Sequence, residues 1–152
     1  MNAQKYPKRI IFDLTNKCNL KCLFCARTVY DYEYQYLPFS LFEKAKEIFP
    51  YTEEVTLLGW GEPLCHPEFE KIFQVCASYK NMKTYIISNG LILDRFAQTF
   101  VDNNLTYLAV PPERDDEVKD FINYRSGNGK YRTGNSWNIN DDIIILKQVK
   151  DE

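Results

Sequence analysis

The stretch Arg9-Ile-Ile-Phe-Asp-Leu14-Thr-Asn-Lys-Cys18-Asn-Leu-Lys-Cys22-Leu-Phe-Cys25 joins two signals. Its first six residues are apolar and β-branched, the composition of a buried strand. Its last eight hold three cysteines in the spacing C-x3-C-x2-C, directly after that strand. Working outward, the same order recurs. Ser40-Leu-Phe-Glu43 has the form of a capping box and opens a helix with Leu41, Phe42, Ala45, Ile48 and Phe49 on one face, ended by Pro50. Glu54–Leu58 is a second strand, stopped by Gly59-Trp-Gly-Glu-Pro63. Pro67 suits the first turn of a second helix, with Phe69, Ile72, Phe73, Cys76 and Tyr79 at helical spacing. Lys83–Ile87 is a third strand, closed by Ser88-Asn-Gly90.

A third helix is expected over 91–101, a fourth strand over Leu105–Val110 and a fourth helix over 116–125. Residues 126–140 are rich in Gly, Asn, Ser and Thr and read as loop or linker. Residues 141–152 read as a last strand, Ile143–Leu146, and a tail. Strand–helix alternation implies parallel strands joined by right-handed crossovers. We therefore expect an α/β fold, a partial TIM-like β/α barrel of four to five strand–helix units in a single domain over 1–152. In such folds chemistry gathers at the C-terminal ends of the strands. The cysteine cluster, Gly-Trp-Gly-Glu-Pro and Ser-Asn-Gly follow the first three strands and would share one face.

The bulk numbers suit this. The chain has 152 residues, 45% hydrophobic and 26% charged, with a net charge of −2. That composition is globular and gives no footing for nucleic acid or an anionic membrane surface. No apolar run approaches the roughly 18 residues of a membrane span, and the first residues do not read as a signal peptide. A cytoplasmic location is expected, where thiols stay reduced. Five cysteines, an odd count, then favour metal or cluster roles over disulfides. The alternating Tyr30, Tyr32, Tyr34 and Tyr36 read as a half-buried edge or loop in preference to a substrate-facing surface.

A 4Fe-4S cluster usually takes four cysteine thiolates. Three leave one iron without a protein ligand, and an open site is where a metal centre can bind a small molecule. The alternative is a structural zinc module, for which His66 is the one histidine able to complete a Cys3His set. His66 precedes the helix-opening Pro67 and reads as structural. Cys65 and Cys76 read as small hydrophobes.

Three motifs together carry a resemblance. Cys18-Asn-Leu-Lys-Cys22-Leu-Phe-Cys25, Gly59-Trp-Gly-Glu-Pro63 with His66-Pro67, and Ser88-Asn-Gly90 resemble, in order, the motifs of the radical S-adenosylmethionine (radical SAM) superfamily. The resemblance implies that Cys18, Cys22 and Cys25 bind a 4Fe-4S cluster and that S-adenosylmethionine (SAM) chelates the fourth iron. It implies reductive cleavage of SAM to a 5′-deoxyadenosyl radical for hydrogen abstraction. It further implies an electron donor and a substrate, of which peptide or protein is the class these motifs suggest. Phe24 would pack near the adenine. Glu62, with the backbone of Trp60 and Gly61, would meet the methionine ammonium, and glycine at 61 would let the main chain approach the ligand. Pro63 belongs to the same motif. Ser88 and Asn89 would offer polar contacts.

The chain departs from the family after the fourth strand. Pro111-Pro112 stand where a cofactor-contacting serine is usual, and later strands are curtailed. A lost section bridged by 126–140 would explain this. So would a short form whose barrel a partner chain completes. The alternative function is accordingly a catalytically incomplete relative or fragment that binds cluster and SAM.

Overall fold

The computed structural model describes residues 6–23 and 25–110, together with the backbone of 144–147. Phe24, Pro111-Pro112, the helix expected over 116–125 and the loop over 126–140 lie outside the described residues. Four parallel strands, β1 (Arg9–Asp13), β2 (Glu54–Leu58), β3 (Lys83–Ile87) and β4 (Tyr107–Val110), form one open sheet in chain order. Between them come α1 (Phe39–Lys44), α2 (Phe69–Ala77) and α3 (Ala97–Asp102). This is part of a β/α barrel.

The last strand differs from expectation. β5 (Ile144–Lys147) pairs antiparallel with β4, Ile144 opposite Val110 and Lys147 opposite Tyr107. It is a returning edge strand, where a fifth parallel unit would need a crossover to the other end of the sheet.

The two faces of the sheet read directly from side-chain alternation. Val55 and Leu57 of β2, Ile86 of β3, and Leu108 and Val110 of β4 are buried in the core, and Ile10 and Phe12 of β1 pack against it. The helical side of that core is dominated by rings. Phe42 meets Phe12, Phe39 and Phe49 at centroid distances of 5.1–5.7 Å. Phe69 and Phe73 of α2 meet Phe100 of α3 nearly edge-on. The opposite face carries Ile11, Thr56, Tyr85 and Tyr107 in one register row. Ile11 there is 67% exposed. Tyr85 and Tyr107 stack at 4.4 Å, and burial, with Glu54 and Tyr107 nearby, pushes the Tyr85 phenol up to about 12.

The helices start and stop for local reasons, one of them unforeseen. The Ser40–Glu43 capping box does not form. Pro38 caps α1, with φ −60° and ψ 134°, and its carbonyl accepts from Leu41 and Phe42. The proline's fixed φ wins the cap and puts Ser40 inside the first turn. Leu41 consequently faces solvent, 52% exposed. The third helix is shorter than expected, with a 3₁₀ turn at Leu93–Arg95 before α3. α3 ends in a Schellman motif. Asn104, at φ 52°, takes the left-handed position that Asn tolerates, and Leu105 N–H returns to the Phe100 carbonyl at 3.0 Å.

Two outcomes follow for the full chain. Phe42→Ala, at a fully buried ring, lowers the unfolding free energy by about 3–5 kcal/mol, measured by denaturant titration. Burial lifts the Cys76 thiol to about 12, so in the metal-free native chain Cys76 is the last thiol to be alkylated and the exposed Cys22 reacts ahead of it.

Candidate cofactor site

The ends of β1, β2, β3 and β4 converge on one cavity of about 320 Å³. Its lining includes Cys18, Cys22 and Cys25 from the loop after β1, Trp60, Gly61 and Glu62 after β2, and Ser88 and Asn89 after β3. Three motifs up to 71 positions apart are thus brought together, as strand-end convergence requires. Pro63, expected with them, does not line the cavity. It is buried and opens the 3₁₀ turn Pro63–Cys65 that Glu62 caps.

Glu62 is the centre of the arrangement, 2% exposed. Its Oε1 accepts from Leu64 N at 3.2 Å and from the Ser88 hydroxyl at 2.8 Å, and its Oε2 accepts from Asn89 N at 2.7 Å. One carboxylate therefore ties the loop after β2 to the loop after β3. Burial raises its pKa, and the donors from Asn89, Ser88 and Leu64 act against that rise. Three donors occupy most of the roughly four lone-pair positions a carboxylate offers.

The link continues to the cysteines. Asn89 Nδ2 reaches Cys18 Sγ at 3.5 Å and Asn19 Oδ1 at 2.8 Å, while its Oδ1 accepts from Leu91 N. Leu20 N also points to Cys18 Sγ, at 3.4 Å. Two N–H donors thus point at the Cys18 sulfur, which itself reaches Asn19 Oδ1 at 3.8 Å. Gly90, at φ 82°, makes the turn that lets Asn89 face back.

The glycines of the second motif line the cavity and also serve a purpose the sequence did not show. A Cβ on Gly61 would overlap the backbone of Lys17, and one on Gly59 would strike the Thr15 carbonyl. Gly61 N–H donates to Thr15 O, and Glu62 N–H to Lys17 O, both at 2.8 Å. The close approach is to the cysteine loop's own backbone. Trp60 is 50% exposed, lines the cavity, and is held by its main-chain N–H on Asp13 Oδ1 at 3.0 Å.

His66 is structural. It is 3% exposed; its Nδ1 accepts from Glu68 N at 3.0 Å, so its Nε2 donates to Leu37 O at 2.9 Å. Tyr36 packs edge-on against the ring. With both nitrogens engaged it has no lone pair for a metal, which removes the fourth ligand of the zinc alternative. Among the described residues no three His, Cys, Asp or Glu groups are placed to hold a single metal ion. Cys65 lies beside the site, and burial, then Glu62 and Cys18, push its thiol up.

The sequence reading missed Arg27 and Tyr32. Arg27 lines the cavity from a 3₁₀ turn at Ala26–Thr28. Tyr32 packs on Trp60 at 5.6 Å, while Tyr30 and Tyr34 are exposed. The tyrosine run is the expected loop, with one ring turned to the site. A basic residue two places after the last cysteine was the available signal.

A family model of the radical SAM superfamily matches residues 12–133. The chain belongs to this superfamily. Among curated proteins it is 32% identical over 107 residues to a GTP 3′,8-cyclase of Synechocystis sp., covering 68% of this chain and 32% of that one. It is 26% identical over 114 residues to an Fe-coproporphyrin III synthase of Methanosarcina barkeri, covering 73% of this chain and 28% of that one. The chain thus spans about a third or less of these radical SAM relatives. Among solved structures it resembles BtrN, determined in complex with AdoMet and 2-DOIA, with a TM-score of 0.60 at 19% identity over 70% of this chain and 46% of that one. That likeness supports the partial TIM-like barrel.

Replacing Glu62 tests the knot. Glu62→Gln puts an amide NH2 where at least one donor needs an acceptor. It lowers stability by about 1–3 kcal/mol, the cost of a buried polar group left unpaired, read by denaturant titration of the full chain.

Proposed function

We propose that this chain acts as a radical SAM enzyme, with Cys18, Cys22 and Cys25 holding a 4Fe-4S cluster and SAM at the fourth iron. The observation that carries this is the shared cavity: three thiols from one loop meet the second and third motifs of the superfamily there. The donor set fits the group, since three thiolates with N–H donors on Cys18 match cluster ligation and its outer hydrogen bonds. Held by Cys18, Cys22 and Cys25, a cluster would supply the single electron that reductive cleavage of SAM to methionine and a hydrogen-abstracting 5′-deoxyadenosyl radical requires.

The chain's own residues bind and orient. Asn89 steadies Cys18, and Glu62 sets Asn89 by accepting its main-chain N–H. The methionine ammonium would be met by the Gly59–Glu62 backbone and by the remaining capacity of the Glu62 carboxylate. Trp60 and the apolar Leu58, Ile87, Ala109 and Val110 line the cavity and would pack against a bound cofactor. Phe24 would pack near the adenine, and Ser88, which lines the cavity, would act on the cofactor through its bond to Glu62. The substrate class we propose is peptide or protein, from the motif combination. An external electron donor is required. We assign the chain to the cytoplasm, where exposed thiols stay reduced.

A second reading, binding of cluster and SAM without turnover, is favoured by the open face of the sheet. Among the described residues nothing covers Ile11, so the sheet would need a further segment or a partner chain to close a barrel around a reactive intermediate.

Electron paramagnetic resonance of the anaerobically reconstituted, reduced chain separates these. We expect a 4Fe-4S signal that changes on adding SAM, followed by 5′-deoxyadenosine in the product analysis. A signal that changes without 5′-deoxyadenosine selects the second reading. A wild-type chain that forms no cluster overturns both. Cys22→Ala should lose most of the bound iron, while Cys76→Ala should keep it.

A further inference from the structure

Arg27 is the one cation among the described residues that line the cavity. It is placed with care. Its 3₁₀ turn starts directly after Cys25, which is the turn's N-cap. Its Nε donates to the carbonyl of Asn16 at 2.9 Å. Asn16 lies two residues before Cys18, so one side chain straps the two ends of the cysteine loop together.

The plane of the guanidinium is set as well. It lies 5.8 Å from the ring centroid of Tyr32, within cation–π range. Tyr32 in turn rests on Trp60. The loop carrying Tyr32 is fixed by the same Asn16, whose Nδ2 donates to Glu33 O at 2.9 Å and whose Oδ1 accepts from Gln35 N at 2.8 Å. A strap alone would need only the Nε bond. The second anchor holds the rest of the fork, with its fixed positive charge, at the thiol-lined cavity. The other charged side chain lining that cavity is Glu62, whose carboxylate adds negative charge and deepens the need for a cation.

Three thiolates leave a loaded site negative before any electron arrives. Net charge and hydrogen bonding around a cluster set its reduction potential. We propose that Arg27 is a positioning and tuning residue whose charge raises the reduction potential of a cluster held by Cys18, Cys22 and Cys25. It favours the one-electron reduced form and leaves the ligand set unchanged. This rests on the cluster reading above.

The test is potentiometric titration of the reconstituted full chain with dithionite and mediators, without SAM, followed by electron paramagnetic resonance. Wild type, Arg27→Lys and Arg27→Gln are compared at equal iron content. Arg27→Gln should lower the reduction equilibrium constant at least tenfold, a shift of about 59 mV to lower potential for one electron. Arg27→Lys, which keeps the charge but not the fork, should stay closer to wild type. A wild-type potential in Arg27→Gln overturns the proposal, as does an equal fall in both variants, which would make the fork and not the charge decisive. Failure of both variants to hold iron makes Arg27 a strap alone and also overturns it. A wild-type chain that takes up no iron is a different failure, that of the cluster reading itself.

Discussion

The carboxylate of Glu62 is the constraint on which the site depends. It is buried at the mouth of a parallel sheet, where a lone charge would be costly. It is tolerated because Leu64, Ser88 and Asn89 all donate to it. Those donors belong to two loops that the sheet brings side by side. Through Asn89 the arrangement extends to Cys18 and Asn19, and through Glu62 N–H it extends to the Lys17 carbonyl. The loops after β1, β2 and β3 are therefore one polar network. Such networks rigidify a site when fully satisfied and are costly when partly satisfied. The glycines complete it by letting the second loop lie directly on the backbone of the first.

Much of this was legible in the sequence. β2 and β3 fall where their β-branched runs and turn residues placed them, and the three motifs meet on one face as parallel topology demands. The direction of β5 was not legible, because an apolar run such as Ile143–Leu146 carries no mark of whether its neighbour is parallel. The start of α1 was obscured by two competing caps, the Ser40–Glu43 signature and Pro38, and only the backbone geometry shows that the proline prevails. The residue types around the cofactor site were readable, but their partners were not. The bonds of Glu62 to Ser88 and Asn89 span more than twenty residues and follow from strand register, which local pattern does not encode. The packing of Gly61 on the Lys17 backbone was unreadable for the same reason. Arg27 was missed, and Tyr32 was read as plain loop, because contacts such as that of Tyr32 with Trp60 on another loop leave no periodic trace.

The arrangement divides labour between rigid and open parts. The helix side of the sheet is a dense core of phenylalanines that fixes the strand ends. The opposite face, with Ile11, Thr56, Tyr85 and Tyr107, is amphipathic and partly exposed. Among the described residues no helix is long and apolar enough to cross a membrane. The chain belongs to the radical SAM superfamily, and the cofactor chemistry proposed for the cysteine loop rests on that membership.

The central claim is that three cysteines hold a four-iron cluster with one iron left for a small molecule. Mössbauer spectroscopy of the chain reconstituted with iron-57 tests it most directly, because it sees each iron. The account predicts a 4Fe-4S spectrum in which one iron site in four changes its parameters when SAM is added and the other three do not. A spectrum in which no site responds, or a chain that takes up zinc in place of iron and sulfide, would contradict it.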